Sequence, residues 1–407
     1  MIRKSFICLA LCTLFLCSGV LSVSVTAMGA ENTEVLIGGL FSVTGNLKTL
    51  GENSKTAMEM AVADANGAAQ AAGSPLRFKA AIYDTGLDPT RALDGIKTMA
   101  GKGVKFVIGP QSSEELVAVK SFADSSGIFV ISQSSTAGSL AIQKDNIFRF
   151  CPTDEVEGAA IATFMRRDRV KVVIPAWRDD PGNDGLQKAV RKAVVSIGGK
   201  VTEGIKYSAS TQDYAPIVNG LAAQVDSATK QTGSASVAVY LAGFDEVAAI
   251  LALASDNPVL RTVKWYGNDG AALSKKILDN PKAAAFAEKT NFLCLIFGIE
   301  ENSKIKWSSV ISRIEEKAGR LTDAYALAAY DAVRVVAATY VKMGGKVDST
   351  EELRKTFVST ANGYRGTTGR TTLNGAGDRK YGNYDFWAVR KMGDGYQWKL
   401  TGSYEAE

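Results

Sequence analysis

Residues 104–136 constrain the fold more than any other stretch. They hold two short apolar runs, Val104-Lys105-Phe106-Val107-Ile108 and Ile128-Phe129-Val130-Ile131, with a helix-compatible segment over 114–126 between them. β-Branched, nearly all-apolar runs of this length suit strands buried on both faces of a parallel sheet. Each run ends in a Ser-rich loop, Gly109-Pro110-Gln111-Ser112-Ser113 and Ser132-Gln133-Ser134-Ser135-Thr136. A right-handed crossover brings both loops out on one edge of the sheet. Ser112 and Glu115 have capping-box spacing, so the Ser112 hydroxyl is expected to serve the helix backbone. Ser113 then lies beside unpaired N–H groups and the positive end of the helix dipole, where a carboxylate is stabilised. The same pattern also fits an ordinary strand-helix turn in which serine acts as a cap and nothing more.

The rest of the chain repeats this alternation. Strands are expected at 35–41, 78–83, 147–150, 170–175, 201–207, 237–241, 263–266 and 292–299, with helices between most of them. Helices are then expected at 306–317, 322–343 and 351–357, and strands at 385–390 and 396–400. Repeated strand-helix units over 407 residues predict two α/β lobes, each a doubly wound parallel sheet. Residues 179–185 read as a loop ahead of a helix over 186–197. The Gly/Thr-rich run 366–372 reads as a loop crossing between lobes; without a following lysine it is not a phosphate loop.

Composition excludes several functions. The chain has no histidine, which removes Ser-His-Asp and Cys-His catalysis and every His-ligated metal site. No nucleophile–base pair stands out, so an enzyme is not expected, and no cofactor is implied. A formal charge of +5 with dispersed Lys and Arg gives no nucleic-acid footprint. Asp179, Asp180 and Asp184 lack EF-hand spacing, and no metal site is expected. Of five cysteines, Cys8, Cys12 and Cys17 fall in the N-terminal segment. Cys151 and Cys294 each sit in an apolar run and are expected as separate buried thiols.

Residues 1–30 have the layout of a secretory signal peptide: Arg3 and Lys4, an apolar stretch over 6–16, then small residues ending at Ala27 or Ala30. Retention of this segment as a membrane anchor stays open. Beyond it, no run approaches the roughly 20 apolar residues needed to cross a bilayer. The expected location is periplasmic or extracytoplasmic.

The order of motifs resembles the type I periplasmic solute-binding proteins of ABC transporters, in the branched-chain amino-acid binding family. The resemblance rests on Ile37-Gly38-Gly39-Leu40-Phe41-Ser42-Val43-Thr44-Gly45, on Leu50-Gly51, and on Val107-Ile108-Gly109-Pro110-Gln111-Ser112-Ser113. It also rests on Ile131-Ser132-Gln133-Ser134-Ser135-Thr136, Phe148-Arg149, Tyr266-Gly267-Asn268-Asp269-Gly270 and Phe386-Trp387. It implies two lobes joined by three crossings, at 31–152 with 300–378 and at 153–299 with 379–407, closing by a hinge on a ligand. It also implies an amino acid or related small amide or carboxylate as ligand, and a membrane permease as partner. An exported sensor of the same fold, acting on a signalling partner, remains the alternative.

The resemblance assigns roles residue by residue. Ser113 matches a carboxylate-binding serine. Ser134, Ser135 and Thr136 match a segment that binds the same group, and Asp269 matches the acid that pairs with the α-amino group. Phe244 stands about where the family places an aromatic. Leu50 replaces an aromatic residue, and Ser134 and Ser135 stand where alanine is common. Trp177 and Arg178 are candidate wall residues at the cleft edge. A zwitterion needs donors at one end and an anion at the other, so splitting these groups between lobes requires a closed state to satisfy both.

Overall fold

The computed structural model describes residues 33–405. The expected signal peptide, with Cys8, Cys12 and Cys17, lies outside the described residues.

The first sheet comprises β1 (Thr33–Phe41), β2 (Leu76–Asp84), β3 (Phe106–Ile108), β4 (Phe129–Ser132) and β5 (Ile147–Arg149). Its order is β2-β1-β3-β4-β5, with every pair parallel. The strands are connected by α1 (Lys48–Ala71), α2 (Pro89–Gly101) and α3 (Ser113–Ser126). β3 and β4 are buried along their whole length, as their unbroken apolar runs require. Local chemistry sets the helix ends. Asp88 caps α2 through the N–H groups of Thr90 and Arg91, ahead of Pro89 in the first turn. Gly127, at φ 63°, stops α3.

The second sheet begins with β6 (Val172–Asp179), β7 (Lys200–Val201), β8 (Ile205–Ser208), β9 (Val237–Ala242), β10 (Lys264–Gly267) and β11 (Leu293–Gly298). These strands pair in parallel, β7 and β8 both on β6. Their helices are α4 (Asp154–Arg167), α5 (Pro181–Ser196), α6 (Ala215–Thr232), α7 (Val247–Ala254), α8 (Lys275–Asp279) and α9 (Pro281–Lys289).

After β11 the chain returns to the first sheet. It forms α10 (Glu301–Lys306), α11 (Ser308–Ala318), α12 (Ala324–Lys342) and α13 (Thr350–Gly363). α11 and α12 pack along α1. Phe357 of α13 joins Phe106 and Phe148 at ring-centroid distances of 5.1 and 4.8 Å, closing the core over that sheet. The chain then forms a small hairpin, β12 (Arg365–Gly366) and β13 (Gly369–Arg370), and ends on the second sheet with β14 (Asn383–Met392) and β15 (Gly395–Glu405). β14 pairs antiparallel with β11, and β15 antiparallel with β14. The second sheet is therefore parallel only up to β11. A two-residue turn joins β14 to β15, too short for anything but a hairpin.

Two local expectations are corrected and one is extended. Residues 181–185 are not loop: α5 starts at Pro181, with Asp180 as its cap through the Asn183 N–H at 2.9 Å. Proline at the first helical position and aspartate before it are what such a start favours. The helix expected over 306–317 is present as α11 at 308–318, and the addition is the short α10 that precedes it, ending at Lys306. Residues 366–372 are not a crossing loop but mostly the β12–β13 hairpin, tied to α12. Asp331 there accepts the N–H and hydroxyl of both Thr367 and Thr368, at 2.7–3.0 Å. Cys151 and Cys294 are both buried and unpaired with each other.

Where the chain leaves β5 and where it approaches β14, the two segments are bolted together. Arg149 Nε donates to Asp378 Oδ1 at 2.5 Å, and both side chains are almost fully buried. Arg149 Nη1 also donates to the Ala137 carbonyl at 2.6 Å. Arg379 donates to the Thr368 hydroxyl and carbonyl, each at 2.7 Å. Removing one partner of a buried pair strands the other charge, which costs about 3–5 kcal/mol. Asp378→Ala should therefore lower the urea-unfolding free energy by about that amount. Arg149→Met with Asp378→Leu should recover most of it, because neither charge is then left alone.

Candidate functional site

The loops at the carboxyl ends of the strands meet between the two sheets, the usual ligand position in open α/β sheets. They border a narrow cleft whose cavity volume is about 30 Å³, much tighter than an open small-molecule site. Ser113, Ser134, Thr136, Leu50, Phe244 and Asp269 all line it.

The first sheet's side is serine-rich and internally tied. The Ser112 hydroxyl accepts the Glu115 N–H at 3.2 Å, and the Glu115 carboxylate accepts the Ser112 N–H at 3.2 Å, so this serine serves the backbone. Ser113 Oγ lies 3.0 Å from Ser135 Oγ and accepts the Ala137 N–H at 3.3 Å. Ser135 is thus behind the wall, supporting Ser113. Ser132 Oγ donates to the Pro110 carbonyl at 2.6 Å and accepts the Ser135 N–H at 3.0 Å, locking the two loops in register. Gly51 has no room for a side chain: a Cβ there would meet the Ser42 carbonyl oxygen at 2.0 Å. That close approach lets the first turn of α1 carry Leu50 to the wall.

On the second sheet's side, a hydrogen-bond relay runs between two acids. Asn183 donates to Asp180 Oδ2 at 2.7 Å, and Asn268 donates to Asn183 Oδ1 at 3.1 Å. Asn268 also approaches Asp269 Oδ1 at 3.3 Å. Asp269 Oδ1 accepts the Gly270 N–H at 2.7 Å, and Oδ2 accepts the Tyr325 hydroxyl at 2.6 Å. Tyr325 arrives from α12, so the Asp269 carboxylate is held by groups from both sides of the cleft. Burial pushes the Asp269 titration up, and the Tyr325 and Gly270 hydrogen bonds oppose that rise.

Two more buried acids stand behind Asp269. Glu157 Oε1 accepts the Asp269 N–H at 3.1 Å, and burial, with Asp269 adding repulsion, raises its carboxyl well above the usual range. Burial pushes Asp154 up to about 8, and neither of its oxygens has a side-chain or backbone partner.

Trp177 is not brought to the cavity. Its Nε1 donates to Asp184 Oδ1 at 2.6 Å on the outer side of β6. Neighbouring residues of a strand face opposite sides, and Arg178 instead turns inward, 5.3 Å from the Phe244 ring. Sequence reasoning also missed Gln111, Asn183, Asn268, Tyr325, Leu47 and Leu186 as wall residues. Asn268 could have been found from its neighbour Asp269. Tyr325, 56 residues further along and in a helix, had no local signal.

Among the described residues, no Lys or Arg lines the cavity. Among the described residues, no group of three or more His, Cys, Asp or Glu is arranged to hold a metal ion, and no helix is long and apolar enough to cross a membrane. The rim contacts join the two sides: Asp245 N–H donates to the Asn46 carbonyl at 2.8 Å, and Lys275 N–H to Thr49 Oγ1 at 3.4 Å.

Comparison with known proteins agrees with this geometry. A family model described as the receptor family ligand binding region matches residues 53–392. An uncharacterized protein of Methanocaldococcus jannaschii is 31% identical over 94% of this chain and 92% of its own. The leucine-, isoleucine-, valine-, threonine- and alanine-binding protein of Pseudomonas aeruginosa is 25% identical, over 88% of this chain and 90% of its own. Among solved structures, the branched-chain amino-acid transporter substrate-binding protein LivJ of Streptococcus pneumoniae, in complex with isoleucine, superimposes with a TM-score of 0.73. It shares 19% identity and covers 92% of this chain and 99% of its own. A solute-binding protein of an ABC transporter from R. palustris, in complex with benzoate, gives 0.72 at 16% identity, covering 92% and 98%.

An acid that titrates higher in the folded than in the unfolded chain takes up a proton on folding. For Asp154 that contribution is complete below about pH 4 and is lost as pH rises toward about 8. Asp154→Asn should therefore raise the melting temperature more at pH 8 than at pH 4, as read by calorimetry. An equal change at both values would show that folding does not raise the Asp154 titration.

Proposed function

Since this chain belongs to the receptor ligand-binding-region family and has the type I periplasmic binding protein fold, we propose that it binds an α-amino acid between its lobes. In this reading it delivers the ligand to the membrane permease of an ABC importer, outside the cytoplasm. The lobes are residues 31–152 with 300–378, and 153–299 with 379–407. Support for that division comes from the two sheets and from the buried Arg149–Asp378 pair between the crossing segments. The names of the relatives and structural neighbours support solute binding rather than catalysis.

The observation that carries the ligand class is the charge of the wall. Two carboxylates, Asp180 and Asp269, face a cavity with no lining cation. Arg178 Nε lies 3.2 Å from Asp180 and offsets that charge, leaving Asp269 as the uncompensated anion. A ligand ammonium supplies what Asp269 lacks, and its carboxylate fits the hydroxyls of Ser113 and Thr136 with the amides at the start of α3. The benzoate complex of a structural neighbour suggests an aromatic acid as the second reading. Such an anion brings no cation for Asp269, and burying an acid without one is costly.

Leu47, Leu50, Leu186 and Phe244 would receive the ligand's side chain. The ligand bridges both lobes, so binding energy goes directly into holding them shut, a hinge closure.

Titration calorimetry against the common amino acids tests this reading. One of them should bind, and Asp269→Ala should weaken that binding at least about 30-fold, as expected for removing a buried charge-assisted partner. Because burial raises the Asp269 titration, affinity should fall with acidification starting above the ordinary carboxylate range. Unchanged affinity in Asp269→Ala, or a flat acid profile, would remove Asp269 from the ammonium-binding role.

A further inference from the structure

Among the residues lining the cavity, one buried side-chain polar atom has no partner: the Gln111 Nε2 donor. Its orientation follows from the other end of the amide. Ser42 N–H donates to Gln111 Oε1 at 2.8 Å, so the acceptor end is taken and the NH₂ end is what remains. The Gln111 backbone is held as well, because Ser134 Oγ donates to its carbonyl at 3.0 Å. Native proteins rarely leave a buried donor unmatched, since it forfeits its hydration for nothing.

The position of this amide separates it from the groups already given a role. Gln111 lies against the start of α1, where a Cβ on Gly51 would come within 2.9 Å of its Oε1. Leu50, beside Gly51, and Leu47 belong to the same part of the wall. The Ser113–Ser135–Ala137 hydrogen bonds belong to the start of α3 and the loop after β4. Asp269 comes from the opposite sheet. Gln111 therefore belongs to the leucine-lined wall, which in the amino-acid reading receives the ligand's side chain.

We infer that Gln111 selects an α-amino acid whose short side chain carries an acceptor oxygen (hydroxyl, ether or amide) over its hydrocarbon isostere. This rests on the amino-acid reading above. A purely aliphatic side chain of the same size fills the space but leaves Nε2 unpaired in a dry wall. An acceptor oxygen satisfies it. Sites built to hydrogen-bond a ligand group discriminate strongly against the analogue that lacks it, because the penalty falls on the protein's own unpaired atom.

L-Threonine and L-valine differ in this respect and almost not at all in shape. Calorimetry on the wild-type protein should show threonine binding at least about tenfold tighter than valine. In Gln111→Leu that ratio should collapse to within about twofold. Because this change also strips Ser42 N–H of its acceptor, Gln111→Glu is the companion variant. It keeps an oxygen for Ser42 and replaces the free donor by an acceptor. Wild type should prefer O-methyl-L-serine, whose ether oxygen can only accept, over L-norvaline, and Gln111→Glu should reverse that preference. Thermal melts followed by circular dichroism report whether each variant is folded. Valine binding as tightly as threonine to wild type, or an unchanged ratio in folded Gln111→Leu, overturns the role of Gln111 and leaves the amino-acid reading standing. Failure of every amino acid to bind, with benzoate binding instead, overturns that reading and this inference with it.

Discussion

A carboxylate sealed inside a protein must find donors or give up its charge, and the cleft is organised around how Asp269 meets that condition. The Gly270 N–H comes from its own loop, Asn268 from the residue before it, and the Tyr325 hydroxyl from a helix packed on the other sheet. Its own N–H is held by Glu157 from the first turn of α4. Three separate parts of the chain, its own loop, α12 and α4, are committed to one residue. The donors counter part of the desolvation that raises the Asp269 titration. In the amino-acid reading proposed above, a ligand ammonium supplies the remainder.

The same condition explains why the neighbouring acids differ in role. Glu157 has no cation beside it, and burial favours its neutral form, in which it serves as an acceptor for backbone. Asp180 is spent on capping α5 and is balanced by Arg178. Asp269 alone combines a place on the cavity wall with an uncompensated charge. At the opposite end, serine hydroxyls and helix-start amides provide donors without any fixed charge. The cleft is therefore polarised, anionic on one side and donor-rich on the other, with leucines and a phenylalanine between. The buried Arg149–Asp378 pair sits where the chain leaves β5 and approaches β14, and it holds those two segments against each other.

Much of this was readable along the chain because the signals are local. Ser112 and Glu115 announced the start of α3 by their spacing, and the structure shows both halves of the capping box. The apolar runs before Gly109 and Ser132 announced strands buried on both faces. Asp180-Pro181 was an equally local signal that was misread as loop, although an aspartate before a proline is a strong helix start. Trp177 was misjudged for a subtler reason. Which face of β6 looks into the cleft depends on the register of that strand against β9, and the residue's own neighbourhood does not record it.

The amino-acid sequence determined the strand-helix alternation, the buried character of the central strands, the helix caps and the serine-rich loops, because each depends on residues within one or two turns of one another. It also determined the absence of histidine chemistry. Tertiary structure alone decided that Tyr325 would reach Asp269, that Glu157 would stand behind it, and that Ser42 N–H would take Gln111 Oε1 and leave Nε2 buried without a partner. Those relations join residues 56, 112 and 69 positions apart. They exist only after two sheets have packed their helices, because the donors and acceptors involved meet through space rather than along the chain.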